Sequence, residues 1–237
     1  MTKYLEYLSY GDAGWGDQLL AGLFVTVTLF LATLPFGLVL GFLIALAKQS
    51  KMSLVRFVAT VFTTVFRGVP ELLMLLIIFY GGQIVLQQLV DLFTDGVVVD
   101  LNAFVAGMIA LGLVFAAFAS ETFVSALNAV PQGQAEAARA LGLGRVRTMQ
   151  KVLFPQVLRH ALPGISNLSL ILQKETALVS ILALDEFLRQ TQIAVGSTKE
   201  PLFFYALACG GYVLLAFLTS IVINRVDGWT QRGEQRV

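Results

Sequence analysis

Charge is scarce in this sequence. Asp, Glu, Lys and Arg make up 13% of its 237 residues, against 57% hydrophobic, and the mean hydropathy is +0.80. Soluble domains carry about 25% charged residues. So few charges leave more apolar surface than one soluble core can hide, and the chain reads as an all-α integral membrane protein. A formal net charge of +1 leaves no footprint for nucleic acid. The single cysteine, Cys209, excludes a disulfide framework within the chain. With one histidine, His160, there is no His/Cys cluster for a transition metal. No G-x-x-x-x-G-K-[ST] occurs, so any nucleotide used must sit on another chain. Residues 1–17 hold Lys3, Glu6, Asp12 and Asp17 and lack the apolar core of a cleavable signal peptide. No nucleophile–base or metal constellation marks a catalytic centre, so no enzyme activity is expected.

What is present is five long apolar runs. Residues 19–47 exceed the ~20 residues needed to cross ~30 Å of hydrocarbon. Pro35 with Gly37 and Gly41 predicts a kink and a close helix contact there. Residues 57–89 contain Arg67-Gly68-Val69-Pro70-Glu71, which predicts a broken or kinked helix. The third run, 103–130, contains Glu121. The fourth runs from Pro163 to about residue 184 with Lys174 and Glu175 inside it, and residues 185–200 are mixed and polar. The fifth is 201–223. Lys48, Lys51 and Arg56 follow the first run, Asp91, Asp95 and Asp100 with Gly96 follow the second, and Arg225, Arg232 and Arg236 lie in the tail. Tyr4, Tyr7, Tyr10 and Trp15 suit a membrane interface. Basic loops face the cytoplasm, so the N-terminus is expected outside and the tail inside. The expected plan is a periplasmic segment 1–17, a transmembrane domain 18–226 and a cytoplasmic tail 227–237. Five spans do not readily enclose a path for a polar solute, so a dimer with the path between subunits is expected.

Residues 131–155 form the longest polar interruption. They carry Arg139, Arg145, Arg147 and Lys151 against one acid, Glu136. So many charges cannot sit in hydrocarbon, and charge orientation places the segment in the cytoplasm. Pro131 can open a helix, since its missing N–H is not needed there. Glu136, Ala137, Ala138, Ala140 and Leu141 are good helix formers. Gly142 and Gly144 are expected to stop that helix, and a second short helix from about Arg145 is expected to end near Phe154-Pro155. The small side chains let another protein approach closely, and Glu136 and Arg139 offer directional charged contacts.

Glu136-Ala137-Ala138, then Gly142, then Val152-Leu153-Phe154-Pro155 resembles the E-A-A-x-x-x-G…I-x-L-P loop of ABC-importer permeases. Val152 and Phe154 replace the usual Ile and Leu with other apolar residues. The resemblance implies that Glu136, Ala137, Ala138, Arg139 and Gly142 belong to a coupling helix that docks into an ATPase subunit. Arg67–Glu71 with Phe79-Tyr80-Gly81, Glu121-Thr122-Phe123, Ala161-Leu162-Pro163-Gly164, Thr176–Ser180 and Ser197–Pro201 extend the likeness. It covers about residues 18–226 and is nearest the Q-type subunits of the histidine, lysine–arginine–ornithine and opine importers. It implies a type I importer fold with about five spans, in the bacterial inner membrane. It also implies a second homologous permease subunit, two ATPase subunits and a periplasmic solute-binding protein. ATP would be used by the ATPase, with no cofactor bound by this chain. Two departures bear on the solute accepted: Val114–Ala119 is more apolar than in relatives, and Glu175 stands where relatives carry Ser or Asp.

Ionisable residues inside spans are functional candidates by default. Glu121 is the sharpest, as a carboxylate facing the path and attracting a cationic side chain or ammonium group. Satisfaction by a neighbouring helix or by water is the alternative. Arg67 and Glu71, four apart, are expected to share a helical face and either pair with each other or line the path. Lys174 and Glu175 are adjacent and need different partners. The expected function is therefore a permease subunit for polar, above all basic, amino acids: histidine, arginine, lysine, ornithine or an opine. The rival is a non-transporting membrane scaffold that recruits an ATPase through the same loop. A lone secondary transporter fits less well, since five spans give no even pair of inverted repeats.

Overall fold

The computed structural model describes residues 2–11, 14–93, 97–98 and 100–231. Asp12, Asp95, Gly96, Arg232 and Arg236, used in the charge reading above, lie outside them. No strand occurs among the described residues. The helices are α1 (Thr2–Tyr7), α2 (Gly16–Lys48), α3 (Ser53–Gly68), α4 (Glu71–Asp91), α5 (Ala103–Ala129), α6 (Gln132–Ala140), α7 (Arg145–Thr148), α8 (Phe154–Glu175), α9 (Phe187–Thr198) and α10 (Pro201–Gln231). A π-helical turn, Met149–Leu153, joins α7 to α8, and a 3-10 helix, Thr176–Leu182, follows α8. Helices α2, α4, α5 and residues 201–225 of α10 are long and apolar enough to cross a membrane. The helical run 145–182 and α9 pass the same test only when taken together, bent by 52° at the break between them, which gives four spans among the described residues, or five with that pair counted as one.

The second apolar run is broken where expected. A proline ring at position 70 clashes with the carbonyl four residues back and pushes the preceding residue out of helical geometry. Helix α3 accordingly stops at Gly68, and Pro70, with ψ of 134°, precedes α4. The 16 residues of α3 reach only ~24 Å at ~1.5 Å per residue, and α4 is the part that qualifies as a span.

Two expected boundaries fall elsewhere. The helix after Arg145 does not end at Phe154-Pro155 but continues into α8. The π turn widens the helix just before Pro155, which eases the clash that a proline brings to a regular α turn. Residues 187–198 are also not a polar connection. Phe187, Thr191 and Ala194 are buried at helical spacing and give α9 an inward face.

The chain folds as two compact units. One comprises residues 1–35, 69–112 and 171–217. Its core gathers Leu19, Phe187, Ala194, Phe204 and Ala208. A completely buried carboxylate, Glu186, is bonded within it. Glu186 caps α9 by accepting from the Leu188 N–H at 2.9 Å and the Arg189 N–H at 2.7 Å. It also accepts from the Tyr212 hydroxyl on α10 at 3.0 Å and the Thr26 hydroxyl on α2 at 3.2 Å. Thr26 in turn accepts from the Phe187 N–H at 3.1 Å. One side chain thus ties the start of α9 to α2 and α10, and the break is kept without orphaned N–H groups. Ala183 ends the 3-10 helix in the left-handed conformation, φ 59°, which reverses the chain ahead of that cap.

The other unit comprises residues 36–68, 113–170 and those from 218 onward. Its tightest contact is Gly41 on α2. A Cβ there would lie 2.9 Å from the Ala119 Cβ and 3.0 Å from the Ala116 carbonyl oxygen of α5. Only glycine allows that approach, which is the close contact expected from sequence. Phe42 beside it meets Phe123 and Phe154 edge-on at 5.3 and 5.2 Å.

Replacing Glu186 tests its cap. Glu186→Ala removes the acceptor of two amide groups and a tyrosine hydroxyl in an apolar interior, at about 1–3 kcal/mol for each group left unsatisfied. The purified protein is expected to melt roughly 5 °C lower or more, and Glu186→Gln, which keeps one acceptor oxygen, to lose less. An unchanged melting temperature in the alanine variant would show that the network does not hold α9.

Candidate functional site

The polar segment and the intramembrane charges form separate candidate surfaces. The polar segment folds from its own sequence. Pro131 precedes α6 with ψ of 135°, and Ala138 is the buried residue of that helix. Gly142 follows the helix with φ +81°. The Leu143 N–H donates to the Ala138 carbonyl at 3.1 Å and the Gly142 N–H to the Arg139 carbonyl at 2.9 Å. These two bonds make a Schellman stop, which needs the left-handed conformation that glycine adopts without a Cβ penalty. Gly144, the second expected stop, is instead extended and precedes α7. Glu136, Ala137, Arg139 and Gly142 are all exposed. Leu141 and Val146 are exposed as well, at 83% and 68%. The segment is therefore a short helix with one small side chain turned in, presenting an acid, a base and an apolar corner.

The intramembrane charges do not pair as the sequence implied. Arg67 and Glu71 share no helical face, because Pro70 puts them on two helices. Arg67 instead pairs with Glu121, its Nη1 lying 3.2 Å from Oε1. Lys48, the last residue of α2, also pairs with Glu121 Oε1 and donates to the Thr63 hydroxyl at 3.2 Å. A lysine at a span end ordinarily extends towards water. Here it turns to a carboxylate that would otherwise stand alone in α5. The Arg67 guanidinium also lies over the Phe118 ring, 5.5 Å from its centroid. Glu121 is thus held by two cations from two other helices, rather than left as a bare carboxylate.

Glu71 belongs to the other unit. Its side chain lies beside that of Glu175, so the adjacent Lys174 and Glu175 have different surroundings. Lys174 borders a small cleft with Tyr205, Cys209 and Tyr212.

Sequence reasoning missed Lys48 as a partner, since it read as one of three bases flanking a span. The missing signal was Glu121 itself: a carboxylate within a span demands a cation, and Lys48 stands at the end of the span that packs against α5. Glu186, Thr26 and Tyr212 were also missed. Asp185 and Glu186 directly ahead of Phe187 put acidic residues where a helix start favours them, a signal hidden by the polar composition of 185–200.

Comparison with known proteins now gives this arrangement a family. Residues 37–232 match the model of the binding-protein-dependent transport system inner membrane component. The nopaline transport system permease protein NocQ of Agrobacterium fabrum is 37% identical, over 97% of this chain and 98% of its own. The histidine/lysine/arginine/ornithine transport system permease protein HisQ of Escherichia coli is 39% identical, over 87% of this chain and 89% of its own. A crystal structure of an amino acid ABC transporter with histidines aligns with a TM-score of 0.75 and 29% identity, covering 90% of this chain and 94% of that one. The fold is that of type I ABC importer permeases, and the relatives are transport permeases rather than enzymes. The chain belongs to the family of binding-protein-dependent transport system inner membrane components, multi-pass permeases of the inner membrane.

Proposed function

We propose that this permease carries polar, above all basic, amino acids or opines into the cell, using ATP hydrolysed by a separate ATPase subunit. The observation that carries the reading is the likeness, along nearly the whole chain, to permeases named for nopaline and for histidine, lysine, arginine and ornithine. The exposed, Schellman-capped α6 supports the coupling half of it. A short helix bearing Glu136, Ala137, Ala138 and Arg139, ended by Gly142, suits docking into a cleft of an ATPase. With the N-terminus outside, this surface lies in the cytoplasm.

In the proposed cycle, a loaded binding protein docks outside and ATP closes the ATPase pair. The coupling helices are drawn together, and the spans change from inward- to outward-facing. A second homologous permease completes the path, with two ATPase subunits below. Glu71, Arg67 and Glu121 line the path in this reading, Glu121 acting through the two cations it holds. These intramembrane charges weigh against a non-transporting scaffold, which has no use for ionisable groups inside its spans.

Two measurements test the reading. The complex of this chain with its partner permease and ATPase is reconstituted, and ATPase activity is followed with binding proteins loaded with histidine, arginine, ornithine, glutamine or an opine. Stimulation by a basic amino acid or opine is expected. Assembly without stimulation by any of them would favour the scaffold.

Substitutions in the loop and in α5 separate coupling from passage. Gly142→Asp forces a side chain into a left-handed position, at a backbone cost of about 1–2 kcal/mol, and Glu136→Lys inverts an exposed charge. Both are expected to uncouple ATP hydrolysis from uptake, with the protein still in the membrane. Unchanged uptake in both would remove the coupling assignment. Glu121→Gln is expected to lose uptake while the ATPase still docks, and normal uptake by that variant would take Glu121 out of the path.

A further inference from the structure

We infer that the apolar groove between α2, α5 and α8, with the cations at its mouth, is a binding site for an anionic phospholipid. The groove holds about 330 Å³ and lies wholly within one compact unit. Every side chain that lines it is apolar, among them Leu38 and Phe42 on α2, Phe123 on α5, and Phe154, Leu158 and Ile165 on α8. Val39 and Leu43 on its wall remain 63% and 55% exposed, so the described residues leave it open. Water finds no hydrogen-bond partner in such a groove, and hydrocarbon suits it. From Phe154 to Ile165 the groove follows an unbroken stretch of α8. At ~1.5 Å per residue that is ~16 Å, about one leaflet of a ~30 Å core. The groove therefore has the length and polarity for an acyl chain of a single leaflet.

The second support is charge at one end of it. The Phe42 and Phe154 rings meet at 5.2 Å, close to where α2 ends and α8 begins. Lys151 stands one turn ahead of Phe154, in the π turn, and Lys51 and Arg56 follow the end of α2. The Arg56 guanidinium donates to the Ser50 carbonyl at 3.2 Å, which holds it beside that end. All three cations are exposed. Among the described residues none of them has a carboxylate within ion-pairing distance. The surrounding sequence cannot supply one. Outside the cluster of Lys48, Arg67 and Glu121, residues 36–68 and 113–170 hold seven bases and a single acid, Glu136. Past Leu38 and Ile165, at the other end of the groove, neither α2 nor α8 carries an ionisable residue for two turns or more.

A ligand for this place needs a hydrocarbon part about one leaflet long, joined to an anionic head. An anionic phospholipid has both in one molecule. An apolar helix of a partner permease would fill the groove and leave the cations unmatched. An ATPase would meet the polar segment and leave the groove bare. Basic pockets beside spans on the cytoplasmic side are where anionic headgroups gather, each lysine or arginine adding to the attraction. The choice of the cytoplasmic leaflet rests on the orientation proposed above, whereas the groove and its charged mouth do not depend on it. The lipid would also touch Phe154, the first residue after the π turn that leads back to α7 and α6.

The test is lipid binding to the purified complex of this chain with its partner permease and ATPase, followed by native mass spectrometry. The delipidated complex is titrated with phosphatidylglycerol or with phosphatidylcholine of the same acyl chains. The wild type is expected to bind phosphatidylglycerol about tenfold or more tightly than phosphatidylcholine. The combined variant Lys51→Gln/Arg56→Gln/Lys151→Gln removes the headgroup partners, and Leu158→Trp fills the groove. Each should lose one bound phosphatidylglycerol per copy of this chain, while lipids held elsewhere on the complex remain. All complexes are first shown to assemble and to melt alike. Equal affinity for the two lipids in the wild type, or an unchanged count of bound phosphatidylglycerol in either variant, overturns the site. A photocrosslinking side chain placed at Val39 is expected to capture phosphatidylglycerol. Capture of the partner permease or the ATPase there instead overturns the lipid and makes the groove a protein interface. Stimulation of the ATPase by loaded binding proteins is read separately, so loss of this site leaves the transport reading standing.

Discussion

An ionised side chain within a membrane domain must be met by opposite charge, by hydrogen bonds or by water. That constraint accounts for more of this structure than hydrophobic burial does, because lipid is as apolar as leucine and gives spans little reason to associate. Glu121 is the clearest case. It lies in α5, a helix otherwise rich in buried alanine, and it draws Lys48 back from the end of α2 and Arg67 in from α3. The Gly41 contact then becomes intelligible, since α2 and α5 must approach closely for the Lys48 side chain to reach. Without a glycine at position 41 that approach would clash with Ala119 and Ala116.

Glu186 meets the same constraint in a different way. Its partners are uncharged: two amide groups at the head of α9, a tyrosine and a threonine. The partial positive charge of a helix N-terminus does part of what an arginine would do. Such a carboxylate is satisfied in place and inaccessible, and its work is to hold a broken helix. Pro70 and Ala183 show two ways in which the interruptions arise. Proline removes a bond that the helix needs, whereas Ala183 turns the chain through a left-handed residue. In both places the break leaves backbone groups that other atoms must satisfy.

Much of this was legible in the sequence. The break at Pro70, the close contact at Gly41 and the glycine stop at Gly142 all follow from local rules, because each depends on one residue's own geometry. The polar segment was legible for the same reason, since its charges cannot enter hydrocarbon. What was not legible depended on partners far along the chain. Arg67 and Glu71 are four residues apart, and sequence spacing made them a pair, yet one proline is enough to give them to different helices. Lys48 and Glu121 are 73 residues apart, and no periodicity connects them. Helix α9 was obscured because its inward face is short and its outward face polar, so average composition outweighed the spacing of Phe187, Thr191 and Ala194. The π turn before Pro155 was hidden too: proline ordinarily ends a helix, and a widened turn that lets it continue leaves no compositional trace.

The difference between the two carboxylates also bears on how an intramembrane charge should be interpreted. Burial alone does not separate structural from functional groups, for Glu186 is the more buried and the less suited to meeting a solute. The better criterion is whether the local charges and bonds close. Around Glu186 every partner is neutral, and all four contacts converge on the carboxylate from fixed backbone or from side chains anchored on other helices. Around Glu121 the charges do not close: two cations share one oxygen, and the more exposed of them is the more open to a further partner. A structural ion pair has no need of a second cation, and a surplus cation without a use would add cost to an already costly site. The imbalance, rather than the presence of charge, is what sets the Arg67 cluster apart from the closed network around Glu186.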